Sequence, residues 1–276
     1  MSTLENKTAI VTGAGRGVGR ATAIRLGKAG ARVIVNDLDA DEGEACVRAI
    51  QQAGGTALGC PGDVTQAEFP EHLVDAALAA FSSIDIVINN AGYIWNGAMH
   101  NHSDEQWQAM LDIHATAPFR ILRAVAPWLR ETAKREQAES GAVSCRKIVN
   151  ISSVSGTTGA ATQIAYSAGK AAVVGLTRTL AKEWGRYNVT VNAVAFGHIE
   201  TRLTQPYESA PPTIEVGARS LRVGLTEEQL RGVTQATPLQ RAGRPEDGAG
   251  AIYLFCLPES DYVTGEVLTC SGGAHL

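Results

Sequence analysis

The sequence predicts an α/β protein: a doubly wound, seven-stranded parallel sheet with helices on both faces, in one domain spanning residues 1–276. Three observations carry that expectation. Short apolar, β-branched runs recur along the chain and alternate with Ala/Leu/Arg-rich stretches, as in repeated strand–helix units. The runs are apolar at both parities, which strands covered on two faces require. Glycines number 29, which suits tight strand-to-helix turns.

The runs are TAIVT (8–12), RVIVN (32–36), TALGC (56–60), DIVIN (85–89), KIVNIS (147–152), VTVNAVA (189–195) and EVLTC (266–270). Helical stretches such as VGRATAIRLGKAG and EQWQAMLDIHATAPFRILRAVAPWLRE lie between them. Two segments break the alternation. TAKREQAESGAVSCR (132–146) is polar and reads as a longer excursion before the fifth strand. The segment 203–241 has three prolines in its first ten residues, then a helix-start signal at Thr226 in TEEQL. An insert after a strand's carboxyl end is where a substrate lid sits in such a fold, here near 203–235.

Composition narrows the partners. Net charge is −4 with no Lys/Arg-rich block, so a nucleic-acid surface is not expected. No apolar stretch approaches the ~20 residues of a membrane span, and MSTLENKTAI lacks the basic-then-apolar order of a signal peptide. The expected location is the cytoplasm, with no membrane partner. Cys46, Cys60, Cys145, Cys256 and Cys270 are scattered, without a C-x-x-C. They indicate neither a metal site nor a disulfide framework and read as buried thiols.

Directly after the first run, AIVTGAGRGVGRATAIRL places glycines at 13, 15, 17 and 19 ahead of a helix. Such a turn lets a pyrophosphate approach the backbone, and the helix N-terminus favours its charge. The spacing is T-G-x-x-x-G-x-G rather than G-x-G-x-x-G, and no G-K-[ST] follows, so it is not a P-loop. Asp37 ends the second run, 18 residues after Gly19. A carboxylate there can accept both adenosine ribose hydroxyls and repels a 2′-phosphate, which favours NAD over NADP. Arg16 pulls the other way if its guanidinium reaches a 2′-phosphate rather than standing in solvent. Asn36 and Asp39 lie nearby.

Further on, ATQIAYSAGKAAVVGL sets Tyr166 and Lys170 four residues apart, on one face of a helix. They are either a surface pair or an acid–base device. A tyrosine with an ordinary pKa of ~10 is a poor base at neutral pH. A neighbouring ammonium favours the phenolate.

Together, T-G-A-G-R-G-V-G (12–19), N-N-A-G (89–92), a serine 13 residues before Y-x-x-x-K and a glycine-bearing turn after the sixth run resemble the short-chain dehydrogenase/reductase family. The likeness extends from Lys7 to Gly273 and is strongest to the 3-oxoacyl-carrier-protein-reductase-like and 17β-hydroxysteroid-dehydrogenase-like branch. It implies a Rossmann fold and an NAD(P)-dependent oxidoreductase acting on CH–OH groups. It also implies residue roles. Gly13, Arg16, Gly17, Val18, Gly19 and Asp37 would hold the cofactor, with Asp63 and Val64 at the adenine. Asn90, Ala91 and Gly92 would line its ribose side. Gly197, Ile199 and Thr201 would touch its pyrophosphate and carboxamide. Ser153, rather than Ser152, matches the catalytic serine; Tyr166 and Lys170 match the acid–base pair. Ser153 would stabilise charge on the substrate oxygen, and Lys170 would lower the Tyr166 pKa and bind the nicotinamide ribose.

Two positions depart from the family pattern. His114 stands where the family usually has an asparagine that supports a proton-conducting water. It is expected to serve that relay, packing being the alternative, and its reference pKa near 6.5 would add a titration. Phe196-Gly197 replaces the usual Pro-Gly. Tyr93, Trp95, Phe196, His198 and Leu203 are candidate pocket walls. They are mostly large and apolar, so the expected substrate is an uncharged or hydrophobic secondary alcohol or ketone. The alternatives are an NADPH-dependent 3-oxoacyl thioester reductase and a catalytically silent nucleotide-binding regulator. Family likeness implies a homo-oligomer, a tetramer or dimer, packed through long helices at 103–131 and 163–186.

Overall fold

In the computed structural model, which describes residues 3–274, the expected alternation is present. It begins β1 (Thr8–Val11), α1 (Gly17–Lys28), β2 (Arg32–Val35), α2 (Ala40–Gln52), β3 (Thr56–Gly59), α3 (Phe69–Phe81) and β4 (Ile86–Asn89). It continues α4 (Asp104–Leu111), α5 (Ala117–Ser140), β5 (Arg146–Ser153), α6 (Val154–Thr158), α7 (Ile164–Trp184) and β6 (Val189–Phe196). The insert holds β7 (Pro206–Tyr207), β8 (Thr213–Val216), β9 (Arg219–Arg222), β10 (Leu225–Thr226) and α8 (Glu227–Ala236). Then come α9 (Pro245–Leu254) and β11 (Val267–Cys270).

The seven strands outside the insert form one sheet in the order β11-β6-β5-β4-β1-β2-β3, every neighbouring pair parallel. Successive side chains on a strand point to opposite faces, so the apolar runs sort into two cores. Ile10, Ile34, Val87, Ile148 and Val191 pack on one side. Ala9, Val11, Val33, Val35, Ile86, Ile88, Val149 and Val194 pack on the other. Each fully buried Val, Ile or Leu contributes roughly 1.5–3 kcal/mol of transfer free energy. From β1 the chain winds outward to β2 and β3, then returns to β4 on the other side. That reversal leaves a crevice at the strands' carboxyl ends, where ligands bind in open α/β sheets.

Three details differ from expectation. The polar segment 132–146 is no excursion: α5 runs through it to Ser140 and stops at Gly141, with φ at +70°. Past Ala133 the helix stands clear of the core, so it lacks the apolar stripe by which a helix is read. The long helix expected at 103–131 is broken by a π-helical turn at Asp112–Thr116. The insert, expected as a lid with a helix start at Thr226, also folds an antiparallel β8–β9 hairpin before it. The Thr226 start is as read: its hydroxyl accepts from the Gln229 amide at 3.2 Å, and Gln229 Oε1 accepts from the Thr226 amide at 2.9 Å. Among the described residues, no helix is long and apolar enough to cross a membrane.

Candidate active site

The crevice deepens into a cavity of about 940 Å³ that runs from the end of β2 to α7. Its floor is the turn after β1. The Asn90 side-chain amide donates to the carbonyls of Thr12 at 2.9 Å and Gly13 at 3.0 Å. The Thr12 hydroxyl accepts from the Asn90 and Ala91 amides, both at 3.0 Å. These bonds tie the ends of β1 and β4 together under the turn. Gly13 lies at φ +60° with the Ala91 backbone hard against it. At Gly19 there is no room for a Cβ between the Gly13 carbonyl and the Asn90 amide. The first turn of α1 carries no acidic residue, and its N-cap side chain makes no capping bond. The amides there are left to an outside acceptor. A cradle of this shape and polarity fits the diphosphate of a dinucleotide.

At the end of β2, Asp37 Oδ2 accepts from the Gly15 amide at 2.8 Å, and Oδ1 from the Asp39 amide at 3.0 Å. Each oxygen keeps a lone pair for a ribose hydroxyl. The Arg16 guanidinium is engaged by Asp39 at 2.9 Å and Glu42 at 3.1 Å. Asp63 is occupied in its own turn, accepting from the Thr65 amide and hydroxyl. Gly17, Val18, Val64, Gly92, Gly197, Ile199 and Thr201 also line the cavity.

At the other end, the close of β5 and the start of α7 face each other. Ser153 Oγ accepts from the Ser155 amide at 3.1 Å and donates to the Phe196 carbonyl at a long 3.4 Å. A bond that long leaves the hydroxyl free to turn toward a ligand. Ser152 is instead spent on α7, donating to the Lys170 carbonyl at 2.8 Å. Lys170 Nζ donates to the Ile151 carbonyl at 2.8 Å and lies 5.8 Å from the centre of the Tyr166 ring. Burial pulls the Lys170 ammonium down to about 7. Burial pushes the Tyr166 phenol up, and the adjacent Ser153 hydroxyl offsets part of that. The expected lowering of Tyr166 by Lys170 is therefore not produced by the protein groups. The ammonium is turned to a backbone carbonyl, and desolvation dominates both side chains.

His114 sits on the π-helical turn, with its ring edge-on to Tyr166 at 5.0 Å between centroids. A Cβ at Gly92 or Gly169 would collide with it, so two glycines make its slot. Nε2 lies 2.8 Å from the Tyr93 carbonyl. A carbonyl only accepts, so Nε2 carries the proton. Nδ1 is buried with no partner among the described residues. Burial, then the nearby Lys170, pulls the imidazole well below its ordinary value. The added titration near neutral pH expected of His114 is thus absent. Its effect is on stability instead. The unfolded imidazole gains a proton as pH falls through ~6.5 while the folded one does not. Stability from this group is complete above pH 6.5 and is lost on acidification, by at most about 1.4 kcal/mol per pH unit. Lys170 stays out of that window: its folded and unfolded forms differ only above about 7. Urea unfolding of the His114→Asn protein between pH 7 and 5 is expected to show a shallower loss than wild type. Equal slopes would mean that the imidazole is solvated.

A family model described as short chain dehydrogenase matches residues 7–212. The chain belongs to that family. It is thus an oxidoreductase of the short-chain dehydrogenase type. It is 35% identical over 275 residues to a 3-oxoacyl-[acyl-carrier-protein] reductase of Synechocystis sp., covering 99% of this chain and 98% of the relative. It is 32% identical over 273 residues to the (2S)-[(R)-hydroxy(phenyl)methyl]succinyl-CoA dehydrogenase subunit BbsD of Thauera aromatica, covering 99% and 98%. Among solved structures, a 7α-hydroxysteroid dehydrogenase complexed with NADH and 7-oxo glycochenodeoxycholic acid superposes with a TM-score of 0.83. The identity is 30%, with 98% and 95% of the two chains covered.

This short-chain dehydrogenase brings Tyr93, Phe196 and Leu203 to the cavity wall, but not Trp95 or His198. After β6 the backbone is extended, so Gly197, Ile199 and Thr201 face the groove while His198 faces away, half-buried, its Nε2 without a partner. Trp95 packs against the core, with the Arg219 guanidinium 5.8 Å above its ring. Sequence reasoning missed Arg202, Glu105 and Arg219, all of which line the cavity. They make the expected apolar wall a mixed one. Arg219 and Glu105 meet at 3.2 Å across 114 residues of sequence, and no local pattern connects them.

Proposed function

We propose that the protein interconverts a secondary alcohol and a ketone by hydride transfer with NAD(H). The observation that carries this reading is the placement of Ser153, Tyr166 and Lys170 on one wall of a cavity that ends in Asp37. Gly13, Gly17, Val18 and Gly19 would hold the diphosphate. Asp37 would hold the adenosine ribose, and Asp63 and Val64 would flank the adenine. Asn90, Ala91, Gly92, Lys170, Gly197, Ile199 and Thr201 would hold the nicotinamide half. When bound, the nicotinamide supplies or accepts the hydride.

In the reducing direction, Ser153 Oγ turns from the Phe196 carbonyl to donate to the substrate oxygen. The raised Tyr166 phenol is protonated at neutral pH and delivers its proton to the nascent alkoxide. Alcohol oxidation needs the same oxygen deprotonated, so its rate climbs with pH. His114 would hold the Tyr166 ring from its edge. One nitrogen is committed to Tyr93, so only Nδ1 is left for a relay.

The cofactor reading rests on charge. Arg16 is neutralised by two carboxylates, and Asp37 would repel the 2′-phosphate of NADP. Absorbance at 340 nm with secondary alcohols and ketones tests both parts. The expected result is turnover with kcat/KM for NADH at least about tenfold above NADPH, an electrostatic preference of about 1.4 kcal/mol. Preference for NADPH would reverse the cofactor assignment, and no turnover with any ketone would remove the reading.

A second reading, reduction of a 3-oxoacyl thioester, is favoured by the Synechocystis relative's activity. A 3-oxoacyl thioester belongs in the same substrate panel. A homo-oligomer is also proposed, supported by Trp107 and Phe119, which stand exposed on α4 and α5, and by the exposed face of α7 around Ala171, Ala172 and Gly175.

A further inference from the structure

We infer that Arg219 sets the size of the substrate pocket, by pinning the β8–β9 hairpin across the cavity from Tyr166. The inference rests on the oxidoreductase reading above. The hairpin turns through two residues, with Gly217 at φ +58°. Its register pairs Ile214 with Leu221 and Val216 with Arg219. Side chains alternate along a strand, and directly opposed residues share a face. Ile214, Val216, Leu221 and Arg219 therefore all point inward, while Glu215, Ser220 and Arg222 point out. Ile214 and Leu221 are buried in the core. One inward position of an otherwise apolar face is thus given to an arginine.

That arginine has two direct partners, neither of them in the insert. Its Nε donates to Glu105 Oε1 on α4 at 3.2 Å. The guanidinium lies 5.8 Å over the Trp95 ring. Glu105, and behind it the nearby Tyr93 phenol, raise the proton affinity of the guanidinium above the usual value. Tyr93 and Trp95 follow the end of β4, so one side chain joins the insert, α4 and the sheet's catalytic edge. The wall formed by 215–219 stays where it is because Arg219 is held by both Glu105 and Trp95. A guanidinium is well suited to such a pin, being planar, always charged, and able to stack and donate at once. Arg219 does not touch the reacting atoms; it is a positioning residue that governs which substrate volumes fit.

The test compares wild type, Arg219→Gln, Glu105→Gln, the double variant and Arg219→Lys with cyclohexanone and 1-decalone. The pair is partly exposed and worth up to about a fivefold change. The ratio of kcat/KM for decalone over cyclohexanone is expected to rise about fivefold in each Gln variant and no further in the double variant. Arg219→Lys, which keeps the charge but not the stack, should recover part of the shift. The change should fall mainly on KM for 1-decalone. Chymotrypsin digestion gives an arm independent of turnover: cleavage at Tyr207 or Leu221 should be faster in both Gln variants. An unchanged size ratio in an active enzyme overturns the inference. So does unchanged cleavage in an inactive one. Absence of turnover in wild type with faster cleavage in the variants would count against the secondary-alcohol and ketone reading and leave the pin standing.

Discussion

Tyr166→Phe is expected to lower kcat by roughly 10²–10⁴, the usual worth of a positioned general acid, while the Kd for NADH changes by less than about twofold. The substitution removes one oxygen and keeps the ring. The edge-on packing against His114 survives, and so does the Lys170 bond to the Ile151 carbonyl. The Lys170 ammonium is the stronger acid but is turned to the Ile151 carbonyl, and the Ser153 hydroxyl is far too weak an acid to replace a phenol. Single-turnover rates and a fluorescence titration with NADH separate chemistry from binding. If the variant kept more than about a tenth of the rate, the proton would have to come from elsewhere.

The second large effect is on the fold itself. Gly19→Ala drives a methyl group into the Gly13 carbonyl and the Asn90 amide. Neither is the loose end of a flexible side chain, since that amide is what ties β4 to the turn. Overpacking of this kind costs about 3 kcal/mol. For a chain of this size that is a Tm lower by about 6–12 °C, and stabilisation by NADH should disappear with it. Gly232→Ala is the control. It lies within α8 with nothing near its Cβ position, so alanine should leave Tm unchanged or raise it through helix propensity. Equal Tm values for both variants and wild type would show that the turn yields where the structure has it rigid.

The strands were readable because a parallel strand covered on both faces is largely apolar at both parities, and each of the seven runs became one. The glycine turn was readable because its geometry excludes side chains at Gly13 and Gly19. Helices were less so. The outer half of α5 has no buried face and so no periodic signature. The π-helical turn at Asp112–Thr116 has no pattern of its own. Within the site, Ser153, Tyr166 and Lys170 sit in a fixed spacing that sequence displays directly. Their proton affinities do not, because burial depends on everything packed around them. Arg219 was hidden for a related reason. Its meaning lies in partners more than a hundred residues away in sequence, and a hairpin in an insert has no repeat to announce which face turns inward.

The slot that Gly92 leaves for the imidazole has a consequence for how such chains diverge. The space is shared between positions 92 and 114, and a β-carbon at the first would overlap the ring at the second. Drift from glycine to alanine at 92 is therefore open only to lineages in which 114 has already shrunk. The two sites should change in that order, as a linked pair.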